Sequence, residues 1–151
     1  MTDLGIPWTS TDDTFDEYWE GQETVHAVPD ILSTMFAQQE QHMAAYAGIN
    51  EDAQLAPHLW GELDDRRTQA ALREFASYTV EELYEAINHL KNKPWKQTHR
   101  PTDQAAFREE LSDAWHFWIE FHILAGINPR EVFEEYFRKT LINRQRQQSG
   151  Y

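Results

Sequence analysis

A chain of 151 residues with 26 Asp and Glu against 13 Lys and Arg carries a formal net charge of −13. The charge is unevenly placed: residues 1–65 hold 14 acidic side chains and no Lys or Arg, while residues 66–151 hold 12 acidic and 13 basic ones. The overall sign opposes non-specific binding to nucleic acid, whose phosphates it repels, and a basic membrane-surface helix. The absence of Cys excludes disulfides, thiolate zinc sites, Fe–S clusters and a cysteine nucleophile. No apolar run approaches the ~20 residues of a membrane span, and the N-terminus lacks a basic-then-apolar leader. The expectation is a soluble cytoplasmic protein. A hydrophobic content of 40% with six Trp supplies the apolar mass for a core.

Taken in chain order, residues 1–28 read as an acidic arm, with Phe15, Tyr18 and Trp19 at the spacing of a short docking helix. Residues 29–151 read as one helical domain. Pro29 suits a first helical turn, and Ile31, Leu32, Met35, Phe36 and Met43 recur at helical spacing up to a stop at Gly48. Residues 49–61, with Pro57 and Gly61, read as a loop, and a polar helix is expected over about 62–76. Thr79-Val80-Glu81-Glu82 has the form of a capping box, so a new helix is predicted to open there and to end before Pro94. Val80, Leu83, Tyr84, Ile87 and Leu90 would form its apolar stripe, with Glu82, Glu85 and His89 opposite.

A long helix is expected from about Asp103 to Ala125, stopped by Gly126, with Phe107, Leu111, Ala114, Trp118 and Phe121 on one face. Asn128 as cap and Pro129 at the first position open the last helix, which runs into a polar tail over 143–151. Nothing alternates as a strand does. The fold class predicted is all-α, a bundle of four or five helices.

Two carboxylate pairs carry the chemistry. Glu82-x-x-Glu85 lies on one predicted helix and Glu110-x-x-Asp113 on the next, with 24 residues between the pairs. A spacing of three puts both members of a pair on one helical face. On antiparallel neighbours the four would converge and repel, and a hard divalent cation would relieve the repulsion; oxygen-only ligands favour Mg²⁺ or Mn²⁺ over zinc. Lys91, Lys93 and Lys96 lie between the two acidic helices, and Lys139, Arg144 and Arg146 lie late in the last one. Cations on both sides of a carboxylate–metal cluster suit a di- or triphosphate. A ferritin-like di-iron site is not supported: it needs two Glu-x-x-His pairs, and only Glu23-x-x-His26 is present.

The order Glu82-x-x-Glu85, Lys93-Pro94-Trp95-Lys96, Glu110-x-x-Asp113-x-x-His116-Phe117 resembles the all-α NTP pyrophosphatase superfamily, which includes dimeric dUTPases, phage dCTP pyrophosphatases and MazG-like enzymes. The ending Lys139-x-x-x-Asn143-x-x-Arg146-Gln147-x-x-Gly150-Tyr151 is similar to that of the dimeric dUTPase and phage dCTPase branch. The resemblance implies that Glu82, Glu85, Glu110 and Asp113 hold two or three Mg²⁺ ions, and that Glu82 or Glu85 orients or deprotonates the attacking water. It implies phosphate contacts from Lys93, Lys96, Lys139 and Arg146 with Asn143 beside them, and base or sugar contacts from Gln39, Trp95, His116 and Tyr151. Thr140 departs from the branch, which often has Asn after the Lys.

The activity implied is hydrolysis of a deoxynucleoside triphosphate, dCTP and/or dUTP, to monophosphate and pyrophosphate by a homodimer, as nucleotide-pool control in phage DNA metabolism. A purine-directed MazG-like pyrophosphohydrolase is the neighbouring alternative. An acidic helical DNA mimic is the alternative of another class, motivated by the charge of residues 1–65. A mimic needs carboxylates spread at phosphate-like spacing, whereas the acids after residue 79 form pairs ringed by Lys and Arg.

Overall fold

The computed structural model describes residues 30–49, 54–148 and 150. The expectations for the acidic arm 1–28 and for Tyr151 lie outside the described residues. The unit Leu32–Tyr151 carries the core and the cavity described below. The described residues contain four α-helices and no strand: α1 (Ile31–Ile49), α2 (Arg66–Asn88), α3 (Gln104–Leu124) and α4 (Pro129–Gln148), with a short 3-10 turn at Pro57–Leu59. The all-α expectation holds.

The two helices expected over 62–90 are a single helix. Asp65 caps α2, its carboxylate accepting from the N–H groups of Arg67 at 2.8 Å and Thr68 at 3.4 Å. Thr79 does not cap: its Oγ1 donates to the Phe75 carbonyl one turn back, at 2.9 Å. The same hydroxyl that can open a helix can also sit inside one by bonding to residue i−4, so the local pattern is ambiguous. A reciprocal box does form at α4, where Asn128 Oδ1 accepts from the Glu131 N–H at 3.0 Å and Glu131 Oε2 accepts from the Asn128 N–H at 2.9 Å. Asp103 caps α3, and Gly126 leaves it at φ +72°. The tail expected from residue 143 is helical to Gln148.

Helices α2 and α3 make the main pairing and run antiparallel. Phe75 and Tyr78 meet Phe117, while His89, further along α2, meets Glu110, earlier on α3. Phe36 and Met43 from α1 pack with Ile119, Ile123 and Leu124 from α3 to form the buried core, flanked by Leu72, Phe75 and Val132. One predicted face is shifted and one is turned. On α3 the core side is Ala114, Ile119 and Ile123, whereas Trp118 is exposed. On α2 it is the small Ala86 that is buried, and the apolar stripe Val80, Leu83, Tyr84, Ile87 and Leu90 faces outward. The acidic side of α2 thereby faces α3.

Candidate active site

The antiparallel pairing brings Glu82 of α2 opposite Glu110 and Asp113 of α3. One oxygen from each of these three carboxyls lies within 4.8 Å of the others. Burial, then the charges of Glu85, Asp113 and Glu110, push the Glu82 carboxyl above its ordinary range, and a hydrogen bond with Glu110 adds to the effect. Glu85, one turn further along α2, is exposed and is not one of the three that converge, although its charge is felt at Glu82. His89 Nε2 stands 3.4 Å from Glu110 Oε1. An all-oxygen donor set with acids held against their mutual repulsion fits a hard divalent cation.

The triad opens into a cavity of about 470 Å³ whose lining includes Glu82 and Asp113 together with Gln39, His42, Tyr46, His116 and Glu120. Gln39 from α1 and Glu120 from α3 are 2% and 6% exposed. Gln39 Nε2 donates to Glu120 Oε2 at 2.8 Å, and His116 Nδ1 lies 2.7 Å from Gln39 Oε1. Burial pushes the Glu120 carboxyl up, partly offset by the Gln39 hydrogen bond. Phe75 and Phe117 form an apolar wall, and the His42 ring packs edge-on against Tyr46. The arrangement joins an acidic end, where three carboxylates could hold a cation, to a polar recess large enough for a small heterocycle.

The structure thus brings Gln39, Glu82, Asp113 and His116 to one cavity, with Glu110 beside it. Among the described residues, it does not bring the other predicted ones there. Lys93, Trp95 and Lys96 lie on the exposed turn between α2 and α3, where Lys93 Nζ sits 5.5 Å from the Trp95 ring centroid and Trp95 is 76% exposed. Asn92 ties that turn together through Arg100, accepting from its N–H at 2.8 Å and donating to its carbonyl at 2.7 Å. Lys139, Asn143 and Arg146 lie on the exposed second half of α4. Glu120 is the site residue that sequence reading missed. Its spacing of four from His116 was the available signal, because that spacing sets the two side chains on one face of α3.

The chain is 28% identical over 98 residues to the dCTP pyrophosphatase of Enterobacteria phage LZ5, covering 52% of this chain and 57% of that protein. It is 37% identical over 51 residues to the dCTP pyrophosphatase of Enterobacteria phage T4, covering 34% of this chain and 30% of that protein. The matches therefore span less than two thirds of either relative. No solved structure matches the chain. Among the described residues no helix is long and apolar enough to cross a membrane. Residues 32–128, which hold the whole cavity and both carboxylate pairs but not α4, match the dUTPase family over more than half of the sequence, and the chain belongs to that family.

Proposed function

We propose that the protein is a Mg²⁺-dependent pyrophosphatase that hydrolyses a pyrimidine deoxynucleoside triphosphate, dCTP and/or dUTP, to the monophosphate and pyrophosphate. The observation that carries this reading is the single cavity joining the Glu82–Glu110–Asp113 triad to the Gln39–His116–Glu120 network. The names of the two phage relatives support the same chemistry.

Glu82, Glu110 and Asp113, with Glu85 as a fourth carboxylate, would hold Mg²⁺, for which Mn²⁺ is a natural substitute. Bound there, the cations supply charge neutralisation for the triphosphate and Lewis acidity for the attacking water. Glu82 or Glu85 accepts the proton of that water as water is added across the α–β anhydride. Gln39 and His116 in the cavity take the base and sugar. Lys93 and Lys96 on the turn and Lys139, Asn143 and Arg146 on α4, with Trp95, lie outside the cavity and are assigned to the phosphate oxygens and the base by the family resemblance alone. The outward stripe of α2 and the exposed Phe133, Tyr136, Phe137 and Leu141 of α4 support a homodimer in which these faces cover one another. Acting on the nucleotide pool of a phage-infected cell accords with the phage origin of both relatives.

The test is to incubate the purified protein with each of the four canonical dNTPs, dUTP and GTP in Mg²⁺ or in EDTA, and to separate the products by anion exchange. Monophosphate and pyrophosphate from a pyrimidine nucleotide, stopped by EDTA, are expected. Pyrophosphate from a purine nucleotide alone would establish the purine-directed alternative, and none from any nucleotide would overturn the proposal.

A further inference from the structure

Glu120 is an acid placed where acids are seldom found. It is 6% exposed, on the core-facing side of α3, immediately after the buried Ile119. It is not one of the three converging carboxylates, and its described partner is the Gln39 amide, which is itself buried. A solitary buried carboxyl with one hydrogen bond is costly to keep, and a Gln or Met would fill the same space without the penalty. A function for the acid itself accounts for its retention.

The network fixes more than a position. An ionised carboxylate can only accept hydrogen bonds, so Gln39 must turn its NH₂ toward Glu120. Its carbonyl oxygen is then left to accept from His116 Nδ1, at 2.7 Å. The carboxylate therefore sets the orientation of an amide that could otherwise adopt either of two. What the recess offers is an acceptor from Glu120 beside a donor from the second N–H of Gln39.

The position of Glu120 along the cavity gives this pair its meaning. Asp113, His116 and Glu120 share one face of α3, and Glu120 lies about 10 Å along the helix axis from Asp113 at 1.5 Å per residue. With the triphosphate at the Asp113 end, the part of a pyrimidine furthest from the sugar, ring position 4, reaches the Glu120 end. Cytosine presents an amino donor at position 4 and an acceptor at N3. Uracil presents an acceptor at position 4 and a donor at N3.

We infer that Glu120 is a specificity-determining residue that reads position 4 of the pyrimidine ring: its carboxylate accepts from the exocyclic amino group of cytosine while the Gln39 amide that it orients donates to N3. The protein therefore prefers dCTP to dUTP. Uracil would set its carbonyl oxygen against the carboxylate and its N3–H against the Gln39 N–H, two facing like groups, which is how a polar recess rejects an isostere. This inference rests on the pyrophosphatase reading of the same cavity.

The experiment compares kcat/KM for dCTP and dUTP in the wild-type protein and in Glu120→Gln, at pH 7.5 with Mg²⁺. The wild type is expected to favour dCTP at least 10-fold. In Glu120→Gln, whose terminal amide can offer either an N–H or a carbonyl, the dCTP/dUTP ratio should fall at least 10-fold, mostly through dCTP. A second measurement needs no variant. The wild type should cleave the 2-pyrimidinone deoxynucleoside triphosphate, which lacks only the 4-amino group, at least 10-fold less efficiently than dCTP. A wild type that cleaves dCTP and dUTP equally, prefers dUTP, or ignores loss of the 4-amino group overturns the assignment of Glu120 and leaves the pyrophosphatase reading standing. A folded Glu120→Gln with an unchanged ratio does the same. Failure of the wild type to release pyrophosphate from any nucleotide overturns both.

Discussion

Gly126 stands so close to Gly61 that a Cβ built on Gly126 would lie 2.7 Å from the Gly61 Cα. Both glycines have positive φ, +82° at Gly61 and +72° at Gly126, and the Gly61 N–H donates to the Leu124 carbonyl at 2.9 Å. The joint holds the segment leading into α2 against the C-terminal end of α3. Gly126→Ala carries both the left-handed strain and a clash with backbone, so a loss of about 2–4 kcal/mol is expected. Gly61→Ala, whose Cβ would meet nothing nearer than 3.5 Å, should lose only about 1–2 kcal/mol of strain. Urea titration of the two variants checks the difference; equal losses would mean that the close approach contributes nothing.

Thr68 is buried completely, and its Oγ1 donates to the Leu59 carbonyl at 3.0 Å, fastening the 3-10 turn to the first turn of α2. Thr68→Val keeps the shape and removes the donor. The Leu59 carbonyl keeps the Glu62 N–H at 3.0 Å, so only one hydrogen bond is lost, which should cost about 0.5–1.5 kcal/mol, measured as a lowered urea midpoint at unchanged slope.

The two Ser/Thr/Asn-x-x-Glu patterns make opposite predictions once the structure is known. Asn128→Ala removes one half of a formed capping box and should cost about 1 kcal/mol. Thr79→Ala, inside α2, removes only a bond back to Phe75 and should change stability by less than about 0.5 kcal/mol. A loss at Thr79 as large as that at Asn128 would argue for a helix boundary there. The sequence pattern is the same at both places. What differs is whether the preceding residues are already helical, which Asp65 decides fourteen positions upstream.

Glu82 and Glu120 both have their carboxyls pushed above the ordinary 4.5, chiefly by burial. A carboxyl raised in the folded chain stabilises the fold while protonated. That contribution is complete below about 4.5 and is lost as pH rises through the raised value. Without metal, thermal stability should therefore decline through the window immediately above 4.5, and Glu82→Gln should flatten part of that decline. Thermal melts in EDTA between pH 4 and 8 check this; a constant gap between wild type and variant would refute it. At neutral pH, Mg²⁺ should raise the wild-type melting temperature and leave Glu82→Gln little changed, with its turnover reduced at least 100-fold.

The outward apolar stripe of α2 predicts self-association. Light scattering should report twice the 17.8 kDa chain mass at micromolar concentration, and Ile87→Glu should shift it to the monomer. A monomeric wild type would leave those side chains without a partner copy.

The sequence alone determined the helical class, because every apolar recurrence has the helical period and none alternates. It determined the ends of α3, because Asp103 and Gly126 act on their own neighbouring backbone. It determined the pairing of carboxylates, because a spacing of three is a property of one helix. Tertiary structure decided which face of α2 turns inward, since an apolar stripe seeks cover without naming whether its own chain or a copy supplies it. It separated Glu82, which converges with Glu110 and Asp113, from Glu85, which does not. It also made Glu120 part of the site: an acid in a run of aromatics has no meaning until a glutamine 81 residues earlier is brought within hydrogen-bond reach. Local backbone chemistry is written in neighbouring residues. Burial and the direction of a hydrogen bond depend on partners that only packing supplies.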